Sequence, residues 1–153
     1  MKKLLLVLAL FFCGCSAGTN NVQDTVNSTE EGINTEEETI VLNELTYFNT
    51  LVMLLAFPAQ YEGYEVTMFG QIDKIHYHEN DGFFLGRTVV TCCLEDAEFM
   101  GLVCLNEDAG IYAQGDWVVV QGTFHYTDDN VRELIDTTIT RADSPKEVYI
   151  YPS

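Results

Sequence analysis

Three cysteines and one aspartate offer the most distinctive chemistry in this sequence. Cys92 and Cys93 stand side by side, Asp96 follows, and Cys104 comes a short way beyond. Thiolates bind zinc tetrahedrally and a carboxylate can complete such a site, although adjacent cysteines do not have the usual C-x₂₋₄-C spacing. A second chemistry is a structural disulfide, with Cys92 or Cys93 bridged to Cys104 across a loop of about ten residues, as an oxidising compartment permits. A third reading leaves the three as buried or free thiols. A fourth is a catalytic thiol, but no histidine stands nearby in the sequence to activate it. If Cys92 and Cys93 continue a strand, they point to opposite faces, so one of them faces the core and the other does not.

Other residues invite weaker readings. His76-x-His78, beside Glu79 and Asp81, fits a metal site or a solvated hairpin end. A turn at Asn80-Asp81-Gly82 makes the numbers of facing residues sum to about 161, with Cys92 opposite Phe69. His76 then lies roughly 23 Å along the strand at about 3.3 Å per residue, so histidines and cysteines are separate regions. Arg87, among Phe84, Leu85, Val89 and Val90, reads as an anion contact or as half of a structural ion pair. Trp117 with Val119 reads as barrel packing or a stacking platform, and Glu95-Asp96-x-Glu98 as a cation patch or a solvated loop. The sequence contains no nucleophile–base–orienter set, no phosphate loop and no H-E-x-x-H pair. The expectation is therefore a non-enzyme, with a zinc-binding protein and a thiol enzyme as the alternatives.

Composition narrows the partners. Of 153 residues, 24 are Asp or Glu and 7 are Lys or Arg, a formal charge of −17. Removing Lys2 and Lys3 with a cleaved leader leaves 5 − 24 = −19. A surface this acidic repels phosphate backbones, so no nucleic-acid partner is expected. Met1-Lys2-Lys3 followed by the apolar run Leu4 to Phe12 is too short for a spanning helix, which needs about 20 residues, and reads as a secretory signal. Gly14-Cys15-Ser16 resembles a bacterial lipobox. Residues 1–14 are then a lipoprotein signal peptide, with Cys15 lipidated and the protein held at the extracytoplasmic face of the cell membrane. Residues 15–39, rich in Ser, Thr, Asn, Gly and acid, read as a disordered tether.

The elements that must position the candidate residues lie in 40–153. Asn43 to Phe57 has a helical pattern, with Leu45, Phe48, Val52 and Leu55 on one face and Pro58 as the stop. Five strands follow, at Glu65–Tyr77, Phe83–Cys93, Gly101–Leu105, Asp116–Tyr126 and Leu134–Arg141. Gly70 and Gly122 interrupt the first and fourth, as the bends of a small barrel require. The fold class is mainly β: an OB-like five-stranded barrel preceded by one α-helix.

Several blocks carry a family resemblance. They are Tyr61-Glu62-Gly63-Tyr64-Glu65-Val66 leading to Gly70, then Phe84 and Arg87, then Thr91-Cys92-Cys93-Leu94-Glu95-Asp96-Ala97. Gly115-Asp116-Trp117-Val118-Val119-Val120-Gln121-Gly122 and Pro145 through Pro152 complete the set. In this order they resemble the C-terminal domain of the YcgQ-type bacterial proteins, a domain of unknown function. Members are described as subunits of a two-component permease and carry N-terminal transmembrane helices where this chain has its lipobox. The block in those members tends to read Ala where Glu95 stands. The resemblance implies an accessory or binding module beside a polytopic membrane permease, without naming a solute.

Overall fold

The computed structural model describes residues 32–73 and 82–152. The expected signal peptide, Cys15, most of the expected tether, His76, His78 and the turn expected at Asn80–Asp81 lie outside the described residues. The chain runs β1 (Ile33–Asn34), β2 (Thr39–Leu42), α1 (Tyr47–Ala56), β3 (Glu65–Asp73), β4 (Gly82–Val89), β5 (Glu98–Leu105), β6 (Trp117–Tyr126), β7 (Arg132–Arg141) and β8 (Tyr149–Ile150). Strand pairing thus begins at Ile33, ahead of Ile40.

Alternation decides which side of each strand turns inward. In β3, Val66, Met68 and Ile72 are buried while Thr67, Phe69 and Gln71 are half-buried; in β6, Val118, Val120 and Phe124 are buried while Val119 and Thr123 are half-buried and Gln121 is exposed. Strands with this period can bury one face only by curving around it. β3 pairs with β6, β6 with β7, β7 with β5, β5 with β4, and β4 again with β3, which closes a five-stranded OB-like barrel. The β5–β7 pairing is parallel and the other four are antiparallel. β2 runs parallel to β3 on one flank, and β8 runs parallel to β4 on the other. Glycine marks two close approaches. A Cβ on Gly70 would lie 2.7 Å from the Gly86 carbonyl oxygen, and one on Gly122, at a ladder irregularity, 2.7 Å from Thr137.

The barrel interior is filled. Met68, Ile72, Phe83, Leu85, Leu102, Cys104, Val120, Phe124 and Leu134 are all buried, and α1 adds Tyr47, Leu51 and Leu54 to the same core. The Tyr47 hydroxyl donates to the Met100 carbonyl at 3.0 Å, and Arg132 Nη2 donates to the Leu55 carbonyl at 3.1 Å, which ties both ends of the helix to the barrel.

Three expectations are corrected at the level of elements. The helix buries Tyr47, Thr50, Leu51 and Leu54; of the expected face, Phe48 and Leu55 are half-buried against the core, while Val52 and Leu45 are exposed, Leu45 to 83%. Asn43 does act at the start, its Oδ1 accepting from the Leu45 and Thr46 amides. The β3–β4 register pairs Gln71 with Gly86 and Asp73 with Phe84, so facing numbers sum to 157. The second predicted strand ends at Val89 and not at Cys93, because its ladder with β5 ends at Glu98.

Candidate functional site

Past Val89 the chain leaves the sheet. The Val90 amide still donates to the Ile150 carbonyl at 2.9 Å, but Thr91, Cys92 and Cys93 form an exposed bend. Without a ladder, alternation no longer holds, and the expectation that one of the two cysteines faces the core fails: both are exposed. A single 3-10 turn, Leu94–Asp96, then folds the chain back on itself, with the Asp96 amide donating to the Cys93 carbonyl at 3.0 Å. That turn brings the Asp96 carboxylate onto both thiols. Cys92 Sγ and Cys93 Sγ both donate to Asp96 Oδ2, the latter at 3.4 Å, and the two sulfurs stand 3.7 Å apart. All three potential ligand atoms lie within 4.8 Å of one another.

The electrostatics follow from this contact. Asp96 accepts from Cys92 first and Cys93 second, which holds its carboxyl below the usual range. The same bond, with a smaller contribution from Cys93, pushes the Cys92 thiol above its ordinary value. The site is two thiols gathered on one carboxylate, an arrangement that a cation would replace.

Cys104 takes no part. It is fully buried in β5, opposite Phe83 on one side and Leu134 on the other, and burial pushes its thiol upward. Six rungs of the β4–β5 ladder separate it from the Glu98 end, roughly 20 Å at about 3.3 Å per residue. A disulfide needs Cα atoms within about 7 Å, so no bridge from Cys92 or Cys93 reaches it. The expected ligand set loses Cys104 and keeps Cys92, Cys93 and Asp96.

Arg87 lies in β4, a few residues ahead of the thiol loop, and is 1% exposed. Its closest contacts among the described residues are rings and backbone carbonyls, with the Glu44 and Glu147 carboxylates acting on it electrostatically. Its Cζ sits 5.4 Å from the Phe69 ring centroid and 5.3 Å from that of Trp117, and the two rings are themselves 5.3 Å apart. Nη2 donates to the Glu147 carbonyl at 2.7 Å and the Val148 carbonyl at 3.4 Å, while Nε has no hydrogen-bond partner among the described residues. Burial depresses the guanidinium pKa, opposed by the charges of Glu44 and Glu147. Arg87 therefore joins β4 to the C-terminal segment just before β8, and Trp117 packs as its cover. Phe69 and the Glu147–Val148 carbonyls escaped sequence reasoning because each comes from a different, distant segment.

Comparison with known proteins places this geometry in a family. No curated protein and no solved structure matches the chain. The family model of the DUF1980 C-terminal domain matches residues 17–152, a span that holds the barrel, the thiol loop and the Arg87 seam together. This agrees with the YcgQ-type resemblance carried by the Cys-Cys-x-x-Asp-Ala and Gly-x-Trp-Val-x-Val-x-Gly blocks. The chain belongs to the DUF1980 C-terminal domain family, a domain of unknown function.

Proposed function

We propose that this protein is a lipid-anchored, extracytoplasmic, non-enzymatic binding module that serves a membrane permease. One observation carries the binding role: the barrel is packed solid while the chemistry-bearing loop 91–98 is exposed outside it. A ligand would then meet the loop and not the barrel interior. The anchor rests on Gly14-Cys15-Ser16 following the Leu4 to Phe12 run, and the permease on the YcgQ-type resemblance.

Cys15→Ala tests the anchor. The variant moves from the membrane fraction to the soluble or secreted fraction almost completely, since the two or three acyl chains of a lipoprotein hold far more strongly than one. A Cys15→Ala protein that still sediments with membranes, its signal cleaved as usual, overturns the anchor. Gentle detergent extraction of the tagged full chain brings down a polytopic membrane protein; recovery of the chain alone overturns the permease role.

A further inference from the structure

We infer that Cys92, Cys93 and Asp96 form an open, exchangeable site for a zinc-class divalent cation, with a coordination position left for a ligand from outside the domain. The inference deepens the binding-module reading and rests on it for the purpose of the site, while the site itself stands on loop geometry.

The argument begins with distances. Zinc bound at about 2.3 Å from sulfur and about 2.0–2.2 Å from carboxylate oxygen, in a tetrahedron, puts two sulfurs about 3.8 Å apart and a sulfur and an oxygen about 3.5 Å apart. The loop presents its sulfurs 3.7 Å apart and Cys93 Sγ 3.4 Å from Asp96 Oδ2. Two edges of the coordination tetrahedron are already built, and only the closer Cys92–Asp96 pair has to part. Adjacent cysteines reach this arrangement because the bend at 91–93 abandons strand alternation and the turn at Leu94–Asp96 returns the carboxylate to them.

Ligand type selects the ion. Calcium and magnesium require six or more oxygens or an oxygen octahedron, which two thiols and one carboxylate cannot supply. Copper(I) favours sulfur alone, whereas a mixed sulfur and oxygen set suits zinc. Exposure decides between a structural and an exchanging site. Structural zinc is enclosed by four protein ligands and supports the fold, but here three ligands stand exposed beyond the end of a barrel whose core is complete without them. Glu95 and Glu98 flank the loop and are exposed, on a chain of formal charge −17 that draws cations toward it. Binding balances as one divalent ion in and two thiol protons out, with no redox change; the Asp96 carboxylate exchanges two S–H donors for the metal.

Full-length protein extracted from membranes under reductant, stripped of metal and titrated with zinc alone against a chromogenic chelator, tests the site. One zinc per chain with release of two protons is expected. Cys92→Ser or Cys93→Ser lowers affinity by about 100-fold or more and Asp96→Asn by roughly tenfold, while Cys104→Ala leaves stoichiometry and affinity unchanged. Circular dichroism of each variant separates ligand loss from unfolding. Failure to bind zinc in the wild type, zinc retained by the Cys92→Ser/Cys93→Ser double variant, equal affinity for calcium, or a Cys92–Cys93 disulfide in protein isolated without oxygen each overturn the inference. Loss of zinc with the polytopic partner still co-purifying removes the cation site alone. Zinc bound stoichiometrically with no partner recovered removes the permease role alone.

Discussion

Arg87 and the Cys92–Cys93 pair belong to one stretch of chain and invert the usual preferences of their residue types. Arginine is almost never fully buried without a charged partner, and cysteine is among the residues most often buried. Here Arg87 is 1% exposed while both thiols stand in solvent. The difference separates two kinds of unusual residue. The contacts of Arg87 lie within the fold: two rings, two carbonyls and the segment they join to β4. The exposed thiols contribute nothing to the core, so their reason for being there lies outside the barrel. Cys104, the same residue type inside the core, is the internal control.

The largest expected effect is at Arg87. Arg87→Ala removes the guanidinium from between Phe69 and Trp117 and leaves the Glu147 carbonyl without its donor. The cost is about 3 kcal/mol, a melting temperature lower by roughly 10 °C, read by thermal unfolding. Arg87→Lys recovers only part of this, because an ammonium lacks the planar face that stacks on rings. An Arg87→Ala melt equal to wild type would remove the structural account of this residue.

Next comes Cys104→Ser, which places a hydroxyl between Phe83 and Leu134 where a sulfur is fully buried. A loss of about 2 kcal/mol is expected, measured as a lower urea midpoint with an unchanged slope. The smallest effects belong to Cys92→Ser and Cys93→Ser in metal-free protein, each within about 0.5 kcal/mol of wild type. Midpoints that fall as far as that of Cys104→Ser would make the exposed pair part of the fold.

The barrel could be read from the sequence because its signal is local. β3 and β6 alternate strictly, and Gly70 and Gly122 interrupt them where the structure shows close approach and a ladder irregularity. The helix face is legible only in part, for an equally local reason: Phe48 and Leu55 do pack on the core, Leu45 and Val52 do not. Tyr47–Ala56 contains only Asn49 and Thr50 as polar interruptions, so more than one apolar stripe can be drawn, and packing chose the one through Tyr47, Leu51 and Leu54. The thiol loop failed on partners and not on propensity: Thr91-Cys92-Cys93 has strand-like composition, but no strand lies beside it. Arg87 failed on distance along the chain, because Phe69, Trp117 and Glu147 meet it only after the barrel closes. Cys92, Cys93 and Asp96 were recognisable together because all three fall within one bend and one turn.

Among the described residues the edge of β4 has two neighbours in succession: Phe84–Gly86 face Gln71–Asp73 of β3, and Thr88–Val89 face Tyr149–Ile150 of β8. The last residues of the family domain thus supply β4 with the neighbour that β3 does not provide along Thr88–Val89, and Arg87 clasps that segment in place, so shortening the chain from its C-terminal end would uncover a barrel edge and not merely trim a tail.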